Sequence, residues 1–265
     1  MKLQLKNITL VIIDSINLER AQIALDICQK YIDFGDVKLL TDLEEDKDKR
    51  IVKIVKIDSV KKYSTFCIKE LNNYVNTDYC LLIQYDGFIL SPVSWDDNFL
   101  KYDYIGCKDI KRSGEENSLV LNGGFTLRSK KLLEKLSLIN DEELEKELEF
   151  GEDYIIFKLR NDLENGGIIF PDLSVVERFA TDASNRINSK DIKSFGFHGL
   201  FIDLDYLFKD NPEFSNLKKY YKNEVHFLKI IYSKTLSSFN KIPFLYKIVR
   251  GILLFIKKIY YKYIY

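Results

Sequence analysis

Residues Ile8-Thr9-Leu10-Val11-Ile12-Ile13 form an apolar, largely β-branched run with almost no polar alternation. A strand of that texture has both faces covered, which is the condition of a central parallel strand rather than of an edge or an antiparallel hairpin. Lys2 and Lys6 precede the run, but Asp14 ends it after six residues and no small-residue cleavage site follows. The run is therefore read as a buried first strand and not as a signal peptide. Residues 16–34 then repeat apolar positions every three or four residues (Leu18, Ala21, Leu25, Cys28, Ile32), the period of a helix.

The same alternation continues. Short strands are expected at Val37–Leu40 and Ile51–Ile57, a helix over 60–76 with Tyr63, Phe66, Cys67, Leu71 and Tyr74 on one face, and a buried strand at Tyr79–Ile83. Strand, helix, strand, strand, helix, strand predicts an α/β fold: a mostly parallel sheet with crossover helices. Beyond residue 86 turns become frequent; helices are expected at about 129–138 and 152–164, with a charged helix or loop at Asn140–Glu149 and a strand at Ile168–Phe170. The 265 residues suffice for one large domain with an appendage, divided here as 1–210 and 211–265.

Charge distribution says more than total charge. Lys+Arg and Asp+Glu are both 40, yet from Val225 onward there are eight Lys or Arg and no Asp or Glu. On a helical wheel Lys247, Arg250, Lys257, Lys258 and Lys262 fall within an arc of roughly 140°. Ile252–Ile256 is too short an apolar run to span a bilayer. Two readings stay open: an amphipathic helix on the inner-leaflet membrane surface, or a terminal helix docked on the domain with a solvated basic face. Basic residues mixed with aliphatics do not form a groove-sized face, so no nucleic-acid partner is expected. Cys28, Cys67, Cys80 and Cys107 show no metal or redox spacing and sit in apolar runs, as buried thiols in a reducing, cytoplasmic compartment would.

Four polar segments interrupt this framework. Gln84-Tyr85-Asp86-Gly87 follows a buried strand, where α/β sheets bind ligands; Asp86 there suits a divalent metal on a diphosphate, or merely starts a turn. Asn122-Gly123-Gly124 marks a bulge, a place where a ligand approaches the backbone, or a tight turn. Glu152-Asp153 stands at the mouth of a helix, either as caps or as a general base. His198, within Phe195-Gly196-Phe197-His198-Gly199, is suited to a metal or phosphate, or to a structural turn.

In order, Asp86-Gly87, Trp95-Asp96-Asp97, Tyr102-Asp103-Tyr104-Ile105-Gly106, Asn122-Gly123-Gly124-Phe125-Thr126-Leu127-Arg128-Ser129, Glu152-Asp153 and Phe195–Gly199 resemble the DUF5672 family. The helix Tyr63–Leu71 is similar too, and the likeness covers about residues 8–200. The resemblance implies a GT-A-like bacterial glycosyltransferase using a nucleotide sugar as donor and a glycan or lipid-linked acceptor, in polysaccharide or lipopolysaccharide synthesis. It implies that Asp14 and Ser15 receive the nucleotide, with Gln84, Asp86, Asn122, Gly123 and Gly124 around the donor. A divalent metal (Mn2+ or Mg2+) would sit on Asp86 and His198. Asp153 would be the catalytic base of an inverting transfer, with Glu152 as a sugar or backbone contact. Where such enzymes carry Asp-x-Asp, this chain has Gln84-Tyr85-Asp86, one carboxylate instead of two. A catalytically inactive nucleotide- or glycan-binding module is the alternative, and a membrane-peripheral scaffold another.

Overall fold

The structure is a computed structural model describing residues 2–44, 47–109, 119–144, 147–182, 192–199, 217, 219 and 220. The chain divides into two compact units, Met1–Phe214 and Ser215–Tyr265, and the fold below is that of the first. The basic tail 225–265 lies outside the described residues.

The strands are β1 (Leu3–Ile13), β2 (Ile32–Thr41), β3 (Ile51–Lys53), β4 (Tyr79–Ile83), β5 (Tyr104–Lys108), β6 (Leu121–Ser129), β7 (Ala180–Asp182) and β8 (Gly196–His198). The helices are α1 (Leu18–Tyr31), α2 (Val60–Thr65), α3 (Lys130–Ser137), α4 (Asp141–Leu144), α5 (Glu152–Lys158), α6 (Arg160–Asn165) and α7 (Leu173–Phe179). Six strands form one sheet in the order β3-β2-β1-β4-β6-β5, and β7 and β8 form a small parallel pair. Strands β1 to β4 are mutually parallel; β6 runs against β4 and β5. This is the mostly parallel, helix-flanked α/β fold that the sequence predicts.

Both faces of the sheet are covered, as the unbroken first strand requires. Val11, Ile13, Leu40, Cys80 and Leu82 pack with Phe66, Cys67, Leu71 and Leu133 on one face. Helix α1 packs on β1 and β2. It is capped by the Asn17 side chain, which accepts from Arg20 N at 3.2 Å. All four cysteines are free and buried.

Four expectations need correcting. The helix expected over 60–76 is three pieces: α2, a π-turn at Phe66–Glu70 and a 3-10 turn at Leu71–Tyr74. The extra residue of the π-turn turns Phe66, Cys67 and Ile68 together into the core, which a regular helix spaced by 3.6 residues cannot do. The 152–164 helix divides at Leu159 into α5 and α6. Ile168–Phe170 is not a strand: Asp103 N donates to Ile169 O and Ile169 N to the Asp103 side chain, each at 2.8 Å, and no ladder forms. Similarly β3 stops at Lys53, short of the expected Ile57.

Candidate functional site

Because β6 runs antiparallel to β4, its first residues project past the carboxyl end of β4. Ile83 pairs with Phe125, so Asn122, Gly123 and Gly124 stand beyond the last β4 residue. On the β5 side the register jumps from Gly106↔Thr126 to Cys107↔Asn122, leaving the two glycines and Phe125 bulged out of that ladder. The bulge expected from the glycine pair is therefore present.

Directly after β4, Gln84 and Gly87 exchange backbone hydrogen bonds (3.1 and 3.0 Å), making Tyr85-Asp86 the tip of a tight turn. The segment 195–199 runs alongside: Leu90 N donates to Phe195 O at 3.0 Å, Phe197 N to Phe88 O at 3.3 Å, and Gly199 N to Asp86 O at 2.8 Å. Edge-on contact between Phe88 and Phe197, centroids 4.8 Å apart, seats β8 below the turn. His198 is thus held on a strand, not in the loop its glycine-flanked sequence suggests.

The His198 ring lies flat against Gly124; a methyl group at Gly124 would run into the imidazole, and one at Gly87 would meet both Gly124 O and the ring. Neither glycine can gain a side chain without displacing the histidine. His198 Nε2 is 3.2 Å from Gln84 Oε1 and 3.6 Å from Asp86 Oδ1. Gln84 in turn donates to Tyr63 Oη at 3.2 Å. Asp86 Oδ1 is buried and has no hydrogen-bond partner, an arrangement that costs free energy unless something binds there. A buried carboxylate oxygen beside an imidazole nitrogen fits a divalent cation, with phosphate oxygens and water completing its shell. Among the described residues no cluster of three or more His, Cys, Asp or Glu is gathered.

Glu152 and Asp153 open α5 behind Gly151, whose φ of 106° only glycine adopts readily. Asp153 Oδ2 accepts from Gly123 N at 3.2 Å and Oδ1 from Tyr154 N at 2.8 Å. Glu152 presses on Gly123 from the same side, leaving no room for a Cβ. Its Oε1 accepts from Arg128 Nη2 at 2.9 Å, while Arg128 Nε donates to Thr126 Oγ1 at 2.9 Å. Arg128 is completely buried. Burial pushes the Glu152 carboxyl above its ordinary range; facing Arg128 pulls it down and neighbouring Asp153 pushes it up. Asn122 Oδ1 accepts from Gly124 N at 2.8 Å and fixes the bulge. On its other side Asp153 borders a shallow cleft walled by Tyr104, Leu121, Phe157, Arg160 and Phe170.

Asp14 and Ser15 occupy the neighbouring position after β1 but do not touch this cluster directly. Asp14 Oδ1 accepts from Ile16 N (2.8 Å), Asn17 N (3.0 Å) and Arg20 Nη2 (3.2 Å), and Oδ2 from Arg20 Nε (2.6 Å). Ser15 Oγ accepts from Ile57 N at 3.1 Å. Arg20, which sequence reasoning passed over, links the two places: its guanidinium covers the Tyr85 ring, 4.0 Å from the centroid. Arg128 was passed over as well, although a lone arginine inside an apolar strand is a signal that a buried anion faces it.

None of the curated proteins matches this sequence. Among solved structures, the galactosyltransferase LgtC, crystallised with donor and acceptor sugar analogs, is similar at 11% identity and a TM-score of 0.46, over 79% of this chain and 94% of that one. The apo-form glycosyltransferase GlyE of Streptococcus pneumoniae TIGR4 is 14% identical with a TM-score of 0.45, over 77% of this chain and 55% of that one. A glycosyltransferase involved in glycosylation of the major capsid of PBCV-1 gives 12% identity and a TM-score of 0.46, over 72% of this chain and 92% of that one. Residues 49–198, which carry Asp86, the glycine pair, Glu152-Asp153 and His198, match the profile of DUF5672, described as a protein of unknown function, and the chain belongs to that family.

Proposed function

We propose that the chain is a glycosyltransferase that moves a sugar from a nucleotide-sugar donor to a glycan or lipid-linked acceptor, in the synthesis of a cell-surface polysaccharide or lipopolysaccharide. One observation carries the reading. Four segments far apart in sequence (84–87, 122–124, 152–153 and 196–199) meet at the carboxyl end of β4, where open α/β sheets receive ligands.

The roles follow from chemistry. Asp86 Oδ1 and His198 Nε2 are the atoms that would hold Mn2+ or Mg2+; a bound cation supplies positive charge to the departing nucleoside diphosphate. Nε2–H of His198 can donate to Gln84 Oε1; to hold a cation the ring would instead carry its proton on Nδ1 and give the Nε2 lone pair to the metal. The bulged backbone at Gly123-Gly124 lets a sugar ring approach closely. Asp153, steadied by Gly123 N, removes the proton from the acceptor hydroxyl. A single base beside the acceptor makes inversion the expected outcome. Since every oxygen of Asp14 is engaged, a nucleotide at the first loop would meet backbone and Ser15 rather than the Asp14 carboxylate. The basic tail would rest the enzyme on the cytoplasmic membrane surface; membrane association unchanged on removing residues 225–265 would discard that part.

A second reading, a donor-binding module without turnover, draws on one feature: both oxygens of Asp153 already accept backbone N–H groups. The test is a thermal-shift panel of nucleoside diphosphates and nucleotide sugars with and without manganese. The transferase reading expects stabilisation that needs manganese and vanishes in Asp86→Ala. No response to any nucleotide defeats it. Donor hydrolysis by the wild type, lost in Asp153→Asn, separates enzyme from binder.

A further inference from the structure

We propose that Arg20 is a positioning residue for Asp86, acting through the ring of Tyr85, so that the loop after β1 and the turn after β4 move as one unit. The proposal rests on the reading of Asp86 as a metal ligand given above.

The two-residue tip of the β4 turn is gripped from opposite sides. On the Asp86 side, Gly199 N holds the backbone oxygen at 2.8 Å and His198 faces the carboxylate. On the Tyr85 side, the Arg20 guanidinium lies over the ring at 4.0 Å. Arg20 has no freedom of its own: two of its nitrogens bind both oxygens of Asp14, and its side chain is only 8% exposed. Asp14 in turn caps the amides of Ile16 and Asn17, so the arginine is locked to the first loop. A two-toothed, planar contact of this kind fixes direction as well as distance. The ring of Tyr85 transmits that fixed position to the next residue, whose carboxylate oxygen Oδ1 has no other tether. Without the stack, the turn keeps its backbone hydrogen bonds but Asp86 gains freedom, and the cation must fix it on binding.

The experiment measures manganese binding by the full chain from the free-Mn2+ signal in electron paramagnetic resonance, with uridine or guanosine diphosphate present and absent. All variants are compared well below their melting midpoints. Tyr85→Phe keeps the stacked face and should stay within about twofold of wild type. Tyr85→Leu should weaken manganese binding about threefold to tenfold, the scale of a partly buried cation–π contact. Arg20→Lys keeps a charge for Asp14 but loses the plane, and should weaken binding by a similar factor, without adding to the Tyr85→Leu loss in the double variant. If Arg20→Lys fails to fold, the half-buried Tyr85 variants decide alone. Unchanged affinity in Tyr85→Leu, while Asp86→Ala abolishes binding, overturns the proposal and leaves the transferase reading standing. Absence of manganese binding by the wild type, with and without nucleotide, overturns both.

Discussion

Asp14 and Asp86 occupy equivalent places, each just past the carboxyl end of one of two adjacent parallel strands, yet they are treated oppositely. Asp14 is saturated: four hydrogen bonds from two amides and Arg20 reach its two oxygens. Asp86 has a buried oxygen with no hydrogen-bond partner, faced only by the His198 ring at 3.6 Å. The first carboxylate does structural work; the second, on the function proposed above, is the one kept for a cation. Position at the sheet edge therefore does not by itself define a ligand residue, and the partners of each oxygen do.

Substitution should separate the two. Asp14→Ala leaves Arg20 buried without a counter-charge and two amides uncapped, and should cost about 3–5 kcal/mol in urea unfolding. Next in size, Gly124→Ala drives a methyl into the His198 ring and should cost about 1–3 kcal/mol while erasing any manganese-dependent thermal shift. Asp86→Ala should change stability by less than about 1 kcal/mol, or raise it, because an unpaired buried oxygen is removed. A loss as large as that of Asp14→Ala would break the comparison. The smallest effect concerns pH. The Glu152 carboxyl titrates above its ordinary value of 4.5 when folded, so the folded state binds the proton more tightly than the unfolded one. Between 4.5 and the raised folded value, rising pH should weaken wild type relative to Glu152→Gln; a difference that does not vary across that window would show that Arg128 fully offsets burial.

The framework was legible in the sequence where pattern and burial coincide. Ile8–Ile13 and Cys80–Ile83 are buried throughout and α1 buries one face, so apolar runs and spacing alone report their environment. The segment after residue 60 misled because the same apolar spacing is satisfied by a π-turn, which only packing reveals. Ile168–Phe170 misled for the opposite reason: its backbone is occupied by Asp103, a partner 66 residues away. Of the site, the segments Gln84–Gly87, Asn122–Gly124 and Phe195–Gly199 stood out by their glycines, since close approach needs glycine whatever approaches. Arg20 escaped notice because an arginine on a helix looks the same in sequence whether it is solvated or locked into a buried pair, whereas Arg128, inside an apolar strand, did carry a signal.

His198 meets Gln84 across 114 residues of chain. Such a contact closes a long stretch of chain, and it is expected to form after the local contacts of the sheet. During synthesis, strands β1 to β4 can assemble while the segment that presents His198 is still inside the ribosome. The nascent sheet then carries Asp86 but lacks the wall opposite it, so the site stays incompetent until the end of the domain has emerged. If Asp86 and His198 hold a cation as proposed, metal affinity would report that the domain is complete.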